Sequence, residues 1–251
     1  MQISLIQATV RPRNPWESID LGFRMVQHWW KPLCLLWLLC LFPIALVIYI
    51  PLYEDIIFAG WILWWLKPFF DRFLLHFLGR ALFGEALTPW QLWKALPTVL
   101  TTTHLLRGLT VERIGIARSF RLPVWQLEQL DHHARSHRLQ LLQQKTLNTA
   151  QWLTLACLSF EQVIYFSLFG LAYLMMPSTV DLEFKELVFG TSATSPVWVR
   201  TCHVTFGLIA LGIAETLYVA GGFALYLNRR THLEGWDIEL AFRRLAERWQ
   251  K

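Results

Sequence analysis

The sequence predicts an all-α fold: a polytopic membrane protein with about four transmembrane helices, flanked by amphipathic interfacial and cytoplasmic helices. Three observations carry this expectation. Four apolar blocks, Leu33–Leu52, Ile56–Phe83, Leu147–Met176 and Val204–Leu227, each reach the length of about 20 residues that a bilayer core requires. The chain is 55% hydrophobic and only 16% charged, where soluble domains sit near 45–50% and about 25%. The N-terminal residues up to Lys31, the segment Arg80–Lys145 and the tail Arg229–Lys251 together hold 19 of the 23 Lys and Arg. The opposite side is left with Lys185 and Arg200. That asymmetry is a positive-inside signal and orients both termini to the cytoplasm. It also gives the formal charge of +5 an explanation in lipid attraction, and no recognition motif supports nucleic acid as a partner.

The chain is read as one helical membrane domain, 1–251, with an interfacial helix at 14–31 and spans at about 33–52, 56–78, 149–176 and 204–227. A cytoplasmic helical segment fills 84–146, and an amphipathic tail fills 234–250. The first apolar block begins only at Leu33 and is too long for a signal-peptide core, so it is expected to remain as the first span.

Asn14-Pro15-Trp16-Glu17 reads as a helix start: Asn14 caps, Pro15 suits the first helical position, and Glu17 returns a bond to the cap. Trp16, Ile19, Phe23, Val26 and Trp30 then recur at helical spacing. That stripe suits a helix lying in the interface or one packed on other cytoplasmic helices. Pro43 is expected to kink the first span. The short connection Tyr53-Glu54-Asp55 carries acids and no Lys or Arg, as an outer turn does.

The second block is interrupted by Lys67-Pro68-Phe69-Phe70-Asp71-Arg72. Its 28 residues would extend roughly 42 Å as a helix, more than the bilayer core. One span bent at Pro68 and surfacing in the cytoplasmic interface is expected, with a re-entrant hairpin as the alternative. Lys67 and Asp71 are four apart and so placed to pair across a helical turn. Arg72 and Arg80 are expected to snorkel to the headgroups.

Thr88-Pro89-Trp90-Gln91 repeats the cap, proline, tryptophan and acid-or-amide pattern of Asn14–Glu17 and starts a cytoplasmic helix that Pro97 ends. Pro123 is expected to precede a further helix running through Trp125, Leu127 and Leu130 toward Lys145. In the fourth block Gly207, Gly212, Gly221 and Gly222 permit close helix contacts. Ile238, Phe242, Leu245 and Trp249 form the stripe of the tail. Trp16, Trp30, Trp90, Trp236 and Trp249, with Arg72 and Arg80, are the expected interfacial residues, in keeping with the preference of Trp for membrane boundaries.

Glu161 and Glu215 stand near the middle of the third and fourth spans, at similar depth if those spans run antiparallel. An ionisable group there costs a few kcal/mol or more and normally faces a partner or a water-filled space. Lys67, Asp71, Glu161 and Glu215 are therefore read as a buried polar cluster. A clasp that fixes helix packing is favoured over a proton or ion site, which would use Glu161 and Glu215. Four spans are few for an independent transporter, though a homo-oligomer would supply more.

No catalytic or cofactor-binding residue nominates itself: HExxH, Walker, dinucleotide and GxSxG patterns are all missing. His133 and His137 have a metal-compatible i, i+4 spacing without a convincing third ligand, so a solvated helix is favoured over a metal site. Cys34, Cys40, Cys157 and Cys202 form no CxxC and read as small apolar residues. An enzyme acting on lipids at the interface has no visible nucleophile.

Four segments, NPWESIDLGF (Asn14–Phe23), LKPFFDRFLLHFLGRALFGE (Leu66–Glu85), RSFRLPVWQLE (Arg118–Glu128) and LYLNRRTHLEGWDIELAFRRLA (Leu225–Ala246), resemble a group of uncharacterised bacterial inner-membrane proteins. Members are commonly encoded near a MoxR-type AAA+ ATPase, von Willebrand factor A proteins and a transglutaminase-like or RDD-type membrane protein. The resemblance implies an inner-membrane subunit or scaffold of an envelope-associated assembly, with an AAA+ ATPase system as an expected partner and no established catalytic residues. A looser likeness to the membrane domain of some glycerophosphodiester phosphodiesterases implies a helical membrane module without the catalytic barrel.

Overall fold

The last helix organises the molecule. In a computed structural model of the chain, described over residues 11–85, 115–128, 130–177, 184–191 and 195–235 with Thr88, Trp90, Gln91, Trp93–Ala95 and Pro97, the elements are helices and turns, with no strand among the described residues. They are α1 (Pro15–His28), α2 (Trp30–Leu36), a π-helical turn (Trp37–Leu41), α3 (Phe42–Tyr49), α4 (Ile56–Trp65), α5 (Lys67–Leu82), α6 (Arg118–Leu127), α7 (His132–Gln143), α8 (Leu147–Leu174), α9 (Phe184–Phe189) and α10 (Val197–Glu234).

Three helical stretches are long and apolar enough to cross a membrane: Trp30–Tyr49, Leu147–Leu174 and Val197–Glu234. The fourth block instead yields a 38-residue helix that overshoots the expected span at both ends. It stops at Gly235, whose φ of 63° is the left-handed conformation that glycine adopts without a Cβ penalty.

α10 packs against α1, α5, α6 and α8. The α1 crossing depends on missing side chains, since a Cβ on Gly22 would stand 2.5 Å from the Ala220 carbonyl oxygen. At the α6 crossing, a Cβ on Gly222 would stand 2.3 Å from Ser119 Oγ. Gly207 and Gly212, by contrast, leave ordinary van der Waals separations to Tyr165 and Trp37. The face of α1 that is buried is Ser18, Ile19, Gly22 and Met25, while Trp16 and Trp30 point outward. So the packing face is set by small residues beside the aromatic stripe.

The start of α1 is anchored twice. Asn14 Oδ1 accepts the Trp16 N–H at 3.2 Å, as an N-cap does. Asn228 on α10 accepts the Arg13 N–H and donates to the Arg13 carbonyl, both at 2.9 Å. Glu17 does not return to the cap; it pairs with Arg11 and lies 3.6 Å from Arg13.

Pro43 shapes the first span differently from a plain kink. The Phe42 N–H reaches Trp37 O, five residues back, to form the π turn. Proline supplies no N–H to the Leu39 carbonyl, which accepts instead from Trp93 Nε1 at 3.1 Å.

The second block is cut at one residue. Leu66 (φ −82°, ψ −2°) joins α4 to α5, and its carbonyl accepts from Phe69 at 2.8 Å. The chain thus passes between the two helices through a single residue near helical geometry, without the loop a hairpin needs. α4 alone is a short apolar helix. α5 is buried almost throughout.

Pro123 is a correction. It lies inside α6 and does not precede a helix. One backbone bond is lost, and burial of Phe120, Leu122 and Val124 offsets that loss. The stretch toward Lys145 is two helices, α6 and α7. Thr88 and Gln91 form the expected reciprocal cap, at 2.9 and 3.4 Å.

Gly222→Ala and Gly22→Ala are each expected to destabilise by about 1–3 kcal/mol, the usual cost of overpacking. Gly60, which has nothing within 4 Å of a built Cβ, serves as the control. Thermal unfolding in detergent, followed by tryptophan fluorescence, should show Tm lowered for the first two and unchanged for Gly60→Ala.

Candidate functional site: a chain of alternating charges

α5 begins in the middle of the bundle, and its first residue is Lys67, only 4% exposed. Lys67 Nζ is ion-paired to Glu161 Oε2 of α8 and lies 3.6 Å from Glu215 Oε2 of α10. The other Glu215 oxygen, Oε1, accepts from Arg118 Nη2 at 2.7 Å. Arg118 Nε in turn lies 2.7 Å from Asp71 Oδ2, an ion-pair contact whose angle falls short of a hydrogen bond. The result is an unbroken alternation of charge: Asp71, Arg118, Glu215, Lys67, Glu161. Four helices, α5, α6, α8 and α10, contribute to it.

α8 and α10 run antiparallel past this site. Thr154 Oγ1 meets Tyr218 Oη at 3.4 Å, and Tyr165 Oη meets His203 Nδ1 at 2.7 Å, so partners descend along one helix as they ascend the other. Glu161 and Glu215 accordingly lie at matching depth.

Arg118 opens α6 and is fixed from several sides. Its guanidinium carbon stands 5.5 Å from the centroid of the Tyr218 ring. The Tyr218 hydroxyl accepts the N–H of the next residue, Ser119, at 3.1 Å. Burial alone would push the Arg118 guanidinium down; Asp71 and Glu215 outweigh it and hold the pKa above the usual arginine value.

The four residues expected as a buried cluster do converge, but not with the partners their spacing suggested. Lys67 and Asp71 do not pair across a turn of α5, because each has an opposite charge on another helix. Arg72 is not at the headgroups. It is 1% exposed, and its Nη1 donates to the Pro68 carbonyl at 2.7 Å while its own carbonyl accepts from Gln126 at 2.9 Å. Arg80 is half exposed and lies 3.5 Å from Glu85. Trp16, Trp30 and Trp90 are exposed, and Trp236 and Trp249 lie outside the described residues, as does the apolar stripe of the tail.

Arg118 was not legible as a member of this set. It stands outside every apolar block and reads as one more cytoplasmic cation. A second network was also missed. At the far end of α10, Tyr226 Oη donates to Glu128 at 2.7 Å, Arg230 lies 2.7 Å from Glu234, and Arg138 of α7 lies 3.1 Å from Glu128 and also pairs with Glu234. Only the i, i+4 spacing of Arg230 and Glu234 announced it.

Two cavities flank the charged chain. One, of about 480 Å³, is lined by Lys67, Arg118, Thr154, Glu161 and Glu215 with Trp64, Trp65, Leu155 and Leu158. The other, of about 290 Å³, is lined by Ile56, Tyr165, His203 and Gly207, among others. Trp64, Lys67 and Glu161 belong to both walls, so the Lys67–Glu161 pair stands between the two spaces. Among the described residues no group of three or more His, Cys, Asp or Glu is placed to hold a metal ion. What the arrangement can do is offer fixed charges of both signs to a single cavity.

No family model, curated protein or solved structure matches the chain.

Removing one partner of a buried pair costs about 3–5 kcal/mol, whereas replacing both with apolar residues is often neutral. Lys67→Met alone is therefore expected to lower stability strongly, and Lys67→Met combined with Glu161→Leu to recover part of that loss. Arg118→Met, which takes the cation from Asp71 and one of two from Glu215, should lower stability about as strongly as Lys67→Met. Denaturant midpoints of the purified variants in one detergent check the order.

Proposed function

We propose that the chain is a non-enzymatic subunit or scaffold of the bacterial inner membrane, with four crossings and both termini in the cytoplasm. In this reading α4 and α5 together make the fourth crossing beside Trp30–Tyr49, α8 and α10. Partners dock on the basic cytoplasmic segments, and an AAA+ ATPase system is the expected class of partner.

One observation carries the reading: each charge from Asp71 to Glu161 along the chain is held by an opposite charge on another helix. A carrier of protons or ions needs a group that can exchange its charge. Here the carboxylates are committed to fixed cations, which suits a clasp that holds four helices in one geometry. The four segments quoted for the inner-membrane resemblance and the charge asymmetry support the localisation.

A second reading, a small ion- or proton-conducting subunit, is favoured by the two cavities that meet at Lys67 and Glu161. The readings separate cleanly. Glu161→Gln and Glu215→Gln, reconstituted in vesicles, are expected to unfold at lower temperature while proton and cation flux stays at the level of protein-free vesicles. Flux in the unaltered protein that either substitution abolishes would replace the scaffold with the conductor. Affinity purification of the full chain from gently solubilised membranes is expected to bring down a defined partner; recovery of a lone monomer under all mild conditions counts against the scaffold.

A further inference from the structure

The larger cavity has a use that a clasp does not require. Its floor is ionic and its rim is apolar. Leu155 and Leu158 on the rim are 49% and 45% exposed on the surface of α8, a helix long and apolar enough to cross a membrane. Trp64 and Trp65 stand beside them, also about half exposed. An occupant of this space therefore meets acyl chains at the mouth and fixed charges at the bottom.

The charges that reach furthest into the space are of opposite sign. Arg118 and Glu161 side chains are each 15% exposed, against 5% for Lys67 and Glu215 and 0% for Asp71. The Arg118 contacts to Asp71 and Glu215 use Nε and Nη2, and the Glu161 contact to Lys67 uses Oε2. Nη1 of the guanidinium and Oε1 of the carboxylate are not engaged in these pairs. Arg118 and Glu161 both line this cavity, so a cationic donor and an anionic acceptor are offered to one space.

Charge balance narrows the ligand further. Among the charged residues that line the cavity, Lys67 and Arg118 are matched by Glu161 and Glu215. An anion or a cation entering alone would leave an uncompensated charge in a medium where that is costly. A zwitterion adds none. Its anionic half suits a guanidinium, which favours phosphate, and its cationic half suits a carboxylate oxygen, which favours an ammonium that carries N–H donors. A quaternary ammonium has no N–H to give Glu161. The volume of about 480 Å³ falls in the usual range of about 300–1,000 Å³ for small-molecule sites.

We infer that this cavity binds the headgroup of a zwitterionic phospholipid with a primary ammonium, the phosphate on Arg118 and the ammonium on Glu161, with its acyl chains leaving between Trp64, Trp65, Leu155 and Leu158. The shared chemistry, a phosphate and a primary amine, also occurs in soluble phosphoethanolamine; the apolar mouth selects the lipid.

The full chain, reconstituted in nanodiscs of equimolar phosphatidylethanolamine, phosphatidylcholine and phosphatidylglycerol, is extracted with mild detergent and the retained lipid is read by native mass spectrometry. Phosphatidylethanolamine should be retained over the other two by about tenfold, equivalent to about 1.4 kcal/mol. Glu161→Gln should erase the preference. Leu158→Trp, which fills the mouth and leaves the ion pairs in place, should lower retention with the fold intact. Millimolar phosphoethanolamine should not displace the lipid. Equal retention of the three lipids, preference for phosphatidylglycerol, retention unchanged by Leu158→Trp, or displacement by soluble phosphoethanolamine would each overturn the inference. None of these outcomes bears on partner recovery or on flux, so the scaffold reading stands or falls separately.

Discussion

Glu215 is held from both sides, by Arg118 on one oxygen and with Lys67 near the other, and the positions of four helices follow from that double grip. Two unit charges 4 Å apart attract by about 4 kcal/mol at an effective dielectric of about 20. The effective cost of taking each ion out of water is itself several kcal/mol. The terms nearly cancel, so the chain of charges adds little net stability. What it adds is discrimination, because any arrangement of α5, α6, α8 and α10 that separates one pair leaves a charge bare where water is scarce. The arrangement is selected by the cost of its alternatives.

That grip in turn requires close packing elsewhere. Arg118 can reach Glu215 only if the start of α6 lies almost on the surface of α10. The next residue, Ser119, crosses α10 at Gly222, two helical turns below Glu215, at a separation no larger residue would permit. The Tyr218 hydroxyl between them accepts the Ser119 N–H and so fixes the height of α6 along α10. A glycine, a tyrosine and a glutamate thus share one face of α10 over two turns, and each depends on the others: the glycine sets the distance, the tyrosine the register, the glutamate the charge partner. α1 repeats the approach two residues earlier, where Gly22 meets Ala220.

The extent to which this was legible in the sequence divides by physical cause. The long helices α8 and α10 were visible because a run of apolar residues has few other uses. Lys67, Asp71, Glu161 and Glu215 were visible because a charge inside such a run is costly. Their pairing was not visible. Spacing rules describe neighbours on one helix, and they suggested Lys67 with Asp71, whereas the structure gives Lys67 to α8 and α10 and Asp71 to α6. Arg118 and Arg72 were misplaced for a related reason. The direction an arginine takes is decided in the folded chain: Arg118 turns inward to Glu215, 97 residues away, and Arg72 is buried against the Pro68 carbonyl of its own helix. Local preference makes Pro123 a boundary, and burial of its neighbours overrides that preference. Pro43 predicts a distortion, but its form, a π turn whose spare carbonyl is taken by Trp93, depends on a contact 54 residues away.

The break between α4 and α5 explains why the charges gather where they do. A helix that starts inside the bundle presents the positive end of its dipole there, worth up to about 2 kcal/mol to a partly buried anion and unfavourable by a similar amount for a cation. Lys67 is the first residue of α5, so its own charge sits at the wrong end of its own helix. Two carboxylates close by reverse the account: Glu161 and Glu215 are attracted both by the ammonium and by the helix end, and they in turn make the ammonium tolerable. Pro68 fits the same position, since the second residue of a helix has no intrahelical use for an N–H. The sequence Lys67-Pro68 at the break is therefore one device. The proline starts a helix in mid-bundle, the lysine stands at its head, and the head draws acidic side chains from helices on two sides.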